Sequence, residues 1–143
     1  MRNINCNCHV DSYRKNQRTD EEEGCYNVSD KPLGLTGTYT FSYTYPLSTE
    51  ASFTHKLTSK MSARDILVFG RDDYRRIYRE EDSSLLGFEL KDVGKATGHI
   101  PGMLNRDESD GRYGIWGHDI GDLFFETITI NVNKQTVEFS IGS

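Results

Sequence analysis

The chain changes character near residue 34, where a polar N-terminal segment gives way to regular alternation of apolar and polar side chains. Two runs alternate with a period of two, which is typical of strands with one buried face. Their apolar-face members are Tyr39, Phe41, Tyr43 and Tyr45 in the first run, and Ala51, Phe53, His55 and Leu57 in the second. A connection of about five residues predicts an antiparallel hairpin. His55 is expected to be a hydrogen-bonded core histidine.

A helix with marked ends is predicted after this hairpin. Ser62 is a suitable N-cap with Asp65 at the third helical position, and Met61 and Ile66 stand where a hydrophobic staple would join them. Gly70 lies on the apolar side, where a missing side chain favours close approach to a sheet. The apolar side comprises Ala63, Ile66, Phe69, Gly70, Tyr74, Ile77 and Tyr78.

The rest of the chain completes a small α+β domain. Residues 85–90 predict a third strand, a glycine-rich segment follows, and residues 124–132 and 137–141 predict a second hairpin. We therefore expect a two-layer domain, in which an antiparallel or mixed sheet of about five strands packs one main helix on one face. The predicted order β-β-α-β-β-β resembles the β-grasp arrangement of ubiquitin-like folds in topology alone.

Residues 1–33 carry few large apolar side chains and are expected to form a flexible polar tail, with residues 34–143 as the single folded domain. All three cysteines lie in this segment. Cysteine and histidine are suitable zinc ligands, but the spacing is not that of a standard finger, so free thiols are favoured over a metal site or an intermolecular disulfide. The residues concerned are Cys6, Cys8, His9 and Cys25.

Composition narrows the class of function. The formal net charge of -5 argues against a general nucleic-acid or membrane-surface binder. The sequence lacks a long apolar stretch and the pattern of a signal peptide, which predicts a soluble intracellular protein. Arg75 and Arg79 belong to a row of helix arginines able to grip phosphate. Because Asp72, Asp73 and Glu81 lie among these arginines along the helix, a solvated face is favoured over a phosphate-binding site.

The segment 111–122 gathers the single tryptophan, a histidine and two aspartates among four glycines. His118, Asp119 and Asp122 have side chains suited to a divalent metal such as zinc. Their spacing matches no known metal motif, and Asp122 can instead close a turn. For Trp116, a buried anchor is favoured over an exposed interface residue.

These patterns favour a non-catalytic protein-interaction or structural protein. Self-association as a homodimer, or assembly into a larger complex such as a virus particle, suits exposed edge strands and many aromatic residues. The alternative is a metal-dependent hydrolase or small-ligand-binding protein that uses His118, Asp119 and Asp122. Nucleic-acid binding through Arg75 and Arg79 is weaker. The sequence assigns no catalytic residue and pairs no base with a serine.

Overall fold

In a computed structural model, the chain forms a five-stranded mixed sheet with one long helix on one face. The structure describes residues 1–11, 28–85, 106 and 108–143, together with the backbone at 14–15 and 22–23. The strands are β1 (Arg2–His9), β2 (Arg14–Lys15), β3 (Glu22–Glu23), β4 (Gly37–Tyr43), β5 (Ala51–Leu57), β6 (Phe124–Asn131) and β7 (Thr136–Gly142). Helix α1 spans Ala63–Ser84, and a 3₁₀ turn spans Ile120–Asp122.

The strands lie in the order β1-β6-β7-β4-β5, while β2 and β3 form a separate two-stranded pair. Strands β4 and β7 are parallel, and the other neighbours in the large sheet are antiparallel. Both predicted hairpins are present. The expected α+β domain with a mixed sheet and one main helix is confirmed. No helix in the described part of the chain is long and apolar enough to cross a membrane.

Helix α1 begins where its capping residues predicted. The backbone N–H of Ser62 donates to the Asp65 carboxylate at 2.8 Å, as in a capping box. The helix continues to Ser84, and Leu85 is its C-cap. The predicted strand at residues 85–90 otherwise lies outside the described residues.

The core lies between α1 and the inner face of the sheet. Tyr39, Phe41 and Tyr43 are each at most 1% exposed, as their alternation predicted. Gly70 has no room for a side chain, because a Cβ there would lie 2.9 Å from the rings of both Phe125 and Phe139. The predicted close approach of helix and sheet is therefore present.

The expectation of a flexible tail is wrong for residues 2–9. Strand β1 pairs antiparallel with β6 and places Ile4 opposite Ile128. On the inner side of the strand, Cys8 is 5% exposed. Val10, which follows the strand, is fully buried. The physical reason is a period-two pattern built from small residues: the sequence alternates Asn with Ile4, Cys6 and Cys8.

The expectation that the polar face of α1 is solvated is also wrong for several of its residues. Asp73 and Glu81 are 4% and 0% exposed, and Arg71 is 6% exposed. Arg75 pairs with Asp11 of the N-terminal segment, with Nε and Oδ1 separated by 2.5 Å. Arg79 is exposed, as expected. A helical wheel predicts that charged residues are exposed from their type alone. In this structure, neighbouring elements of the fold cover them.

Replacing Gly70 by alanine tests the close approach of α1 to the sheet. Overpacking against two phenylalanine rings should outweigh the gain in helix propensity of about 1 kcal/mol, leaving a net loss of about 1–2 kcal/mol. Denaturant unfolding measures this loss. Ser83→Ala adds an alanine on the exposed side of the same helix and should be neutral or slightly stabilising. Equal stability of Gly70→Ala and the wild type would contradict the close packing.

Candidate functional site

The glycine-rich segment folds around the carboxylate of Glu81, which has no solvent exposure. The Ser109 hydroxyl donates to it at 2.6 Å, the Tyr113 backbone N–H at 2.7 Å and the Gly111 N–H at 2.9 Å. The N–H groups of Gly114 and Ile115 add longer contacts of 3.2 and 3.4 Å. Five donors from one short loop therefore converge on one helix carboxylate. We call residues 109–115 the Glu81 loop.

The hydrogen bonds keep Glu81 ionised inside the protein. Burial alone raises the pKa of this carboxyl, but the Ser109 hydroxyl and the backbone N–H groups of the loop favour the charged form, and the net pKa lies below its ordinary value. A buried charge costs several kcal/mol unless it is compensated. The loop therefore supplies what the buried carboxylate requires.

Glycines make this close wrapping possible. A Cβ at Gly111 would lie 2.5 Å from Ser84 Oγ and 2.7 Å from Glu81 Cδ. Gly114 and Gly117 have φ values of 67° and 74°, in the left-handed region that favours glycine. These glycines let the backbone approach an internal carboxylate.

The far side of the loop is attached to the turn after β4. The Trp116 N–H donates to the Pro46 carbonyl at 3.1 Å, and the Ser48 N–H donates to the Tyr113 carbonyl at 3.1 Å. An isolated bridge joins Leu47 to the fully buried Ile115. The loop is consequently held from two directions, by α1 and by this turn.

Trp116 is therefore fixed through its backbone, while its side chain is 39% exposed. Its ring meets Tyr45 edge-to-face with centroids 5.2 Å apart. The favoured expectation of a buried anchor is wrong, because the buried member of this segment is the neighbouring Ile115. A lone aromatic residue in a sequence does not reveal which of two adjacent apolar side chains faces inward.

His118 lies beside this aromatic pair and is 7% exposed. Its Nε2 is 3.2 Å from Ser143 Oγ, which in turn is 2.7 Å from the Tyr45 hydroxyl. The structure thus pairs a base with a serine that sequence reasoning missed, because the two are distant along the chain. We call Tyr45, Trp116, His118 and Ser143 the Trp116 patch.

The alternative of a metal site at His118, Asp119 and Asp122 is not supported by the geometry. Asp122 accepts the Asp119 N–H at 2.9 Å, which is the turn-closing role considered for it. The Asp119 side chain is 58% exposed, and its nearest cation is Arg106 at 3.8 Å. Residues 1–11, 28–85, 106 and 108–143 contain no group of three His, Cys, Asp or Glu side chains able to hold a metal.

The cysteine-based zinc site is likewise not formed by the described residues. Cys6 and Cys8 both lie in β1, and the hydrogen bond between their side chains, together with burial, raises the pKa of Cys6. The His9 ring packs on Phe124, with centroids 4.0 Å apart. Cys25 lies outside the described residues.

A second buried carboxylate joins α1 to the first hairpin. Asp73 Oδ2 accepts the Tyr43 hydroxyl at 2.5 Å and lies 2.7 Å from His55 Nε2. Burial raises the pKa of Asp73 against the opposing effect of these two partners. The His55 ring stacks on Phe69 at 4.4 Å. The expected hydrogen bond of His55 is present, but the side chain is 19% exposed and lies at the margin of the core.

Comparison with protein-family models, curated proteins and solved structures gives no significant match. The function is therefore inferred from the geometry of the Glu81 loop and the Trp116 patch.

Replacing Glu81 by glutamine should destabilise the protein by about 3 kcal/mol at pH 7, because an amide presents an N–H₂ group to loop donors. Since the folded pKa is lowered, the stabilising effect of Glu81 is complete above its ordinary value of 4.5 and is lost as pH falls through the folded pKa. The stability difference between wild type and variant should therefore shrink in acid. Urea unfolding across pH measures it.

Glu80→Gln is the matched control, since Glu80 pairs with Arg76 and Arg112 at the surface. Its loss should be at most about 1 kcal/mol. Equal losses for the two variants, or a pH-independent difference for Glu81→Gln, would show that the buried carboxylate does not organise the loop.

Proposed function

We propose that this protein is an interaction module that binds a protein partner through the Trp116 patch. The observation that carries the proposal is a large aromatic side chain that is 39% exposed on a backbone held at both sides. Tryptophan and tyrosine are enriched among residues that dominate binding energy. An anchor already held in place loses little conformational freedom on binding.

The composition of the patch supports protein recognition. Trp116 and Tyr45 provide apolar area, while Ser143 and the Tyr45 hydroxyl provide polar groups around it. An apolar centre with hydrogen-bonding groups at its edge is the usual arrangement of a protein interface. The Arg75 site for nucleic acid is less supported, because its guanidinium is already paired with Asp11.

The partner is either a second copy of this chain or a different protein. Strands β1 and β5 are the edges of the large sheet, and such edges favour association between copies. A homodimer, or a subunit of a larger assembly such as a virus particle, would use these edges together with the Trp116 patch.

Replacing Trp116 by alanine should weaken partner binding by about 30-fold or more while leaving the fold intact, because the indole is partly exposed. Sedimentation velocity over a wide concentration range tests self-association. For another partner, a photo-cross-linking amino acid at position 116 should give a product that excess wild-type protein suppresses and excess Trp116→Ala does not.

Val132 provides the matched control, since it is 52% exposed at the end of the second hairpin. Val132→Ala should leave association unchanged, and a cross-linker at position 132 should give no competed product. A strict monomer together with identical cross-linking at positions 116 and 132 would rule out the proposed surface.

A further inference from the structure

His118 and Asp122 lie four residues apart in the sequence, and the more distant Ser143 joins them at one edge of the Trp116 patch. Ser143 is exposed, His118 is 7% exposed and Asp122 is 4% exposed. We propose that Ser143 is an activated nucleophile that accepts an acyl group from small uncharged esters, with His118 as its base. This activity is independent of the proposed protein partner.

The distances suit nucleophile activation. Ser143 Oγ lies 3.2 Å from His118 Nε2, which is the contact a serine needs to transfer its proton as it attacks. On the other side of the imidazole, Nδ1 lies 3.7 Å from Asp122 Oδ2. Serine, imidazole and carboxylate therefore follow one another in the order that defines such a relay by geometry rather than by sequence position.

The buried Nδ1 atom supports this order. Within the part of the chain that the structure describes, His118 Nδ1 is buried and has no hydrogen-bond partner. Oδ2 of Asp122, whose side chain is 1% exposed, accepts the Asp119 N–H at 2.9 Å and lies 3.7 Å from this Nδ1 atom. When the imidazole gains a proton from Ser143, attraction to Asp122 strengthens, so that the 3.7 Å separation can close as charge develops.

The hydrogen-bond roles are mutually consistent. If Nδ1 carries the proton of the neutral imidazole, Nε2 accepts from the Ser143 hydroxyl, and Ser143 Oγ accepts from the Tyr45 hydroxyl at 2.7 Å. In this arrangement the Tyr45 hydroxyl donates to the reacting oxygen, and it can turn to the adjacent oxyanion once Ser143 Oγ bonds to the ester carbon.

The same surroundings define the substrate class. Trp116 and Tyr45 form an exposed aromatic surface next to Ser143, suited to an apolar acyl or leaving group. The cations of Arg106 and Arg112 are already paired with Asp82 and Glu80. A small neutral ester fits this chemistry better than a charged one.

The reaction balances with water alone as co-reactant. Ser143 Oγ forms a bond to the ester carbonyl carbon and gives its proton to His118 Nε2. The bond from that carbon to the leaving oxygen breaks, and His118 returns the proton to the departing alcohol. Water then attacks the acyl-serine with the same base, releasing the acid and restoring the serine.

A fluorophosphonate ester tests the nucleophile directly, because Ser143 Oγ forms a bond to phosphorus as fluoride leaves. The probe should label Ser143 of the folded full-length chain, as mapped by peptide mass spectrometry, about 100-fold faster than Ser140. His118→Ala should slow labelling by a similar factor, and Tyr45→Phe by about tenfold. Ser140→Ala, three residues earlier in β7, should change nothing.

Urea-denatured wild-type protein provides a comparison that needs no variant, since activation requires the folded relay. Labelling of Ser143 should disappear in urea. Labelling of Ser143 no faster than of Ser140, or equal labelling in folded and denatured protein, would overturn the proposal.

Discussion

The constraint on which the loop structure depends is the burial of the Glu81 charge. A carboxylate with no solvent exposure must receive hydrogen bonds from the protein, and here the Ser109 hydroxyl and the N–H groups of Gly111, Tyr113, Gly114 and Ile115 provide them. The loop has few other ways to satisfy these donors. Its path over the end of α1 follows from one helix side chain, and the loop in turn sets the position of Trp116.

Helix α1 connects two parts of the fold through buried acids. Asp73 holds Tyr43 of β4 and His55 of β5, whereas Glu81 holds the glycine loop. The pKa of Glu81 is lowered, because the Ser109 hydroxyl and the backbone N–H groups of the loop outweigh the effect of burial. The pKa of Asp73 is raised, because burial outweighs the effect of its two partners. Helix α1 therefore connects the sheet to the glycine loop that carries the Trp116 patch.

Much of the architecture could be predicted from local patterns. The period-two runs and the capping pair Ser62 and Asp65 indicated the first hairpin and the helix start. Strand β1 was missed because its inward residues are small, which weakens the same period-two signal. Glu81 and Asp73 were assigned to water because a helical wheel contains no information about the elements that later cover them.

The candidate site was less accessible to sequence reasoning. The segment containing Trp116 and His118 was located, but the exposure of the indole depends on Ile115 taking the buried position. Ser143 and Tyr45 join His118 only after the second hairpin and the turn after β4 come together. These contacts are long-range, and no spacing along the chain encodes them.

Native-state amide exchange followed by NMR tests the central claim most directly. If the Glu81 carboxylate organises the loop, the amides of Gly111, Tyr113 and Gly114 should be strongly protected in the wild type. In Glu81→Gln they should lose protection, while Phe125 and Ile128 in β6 remain protected. Rapid exchange of the loop amides in the wild type, or unchanged protection in the variant, would contradict the account.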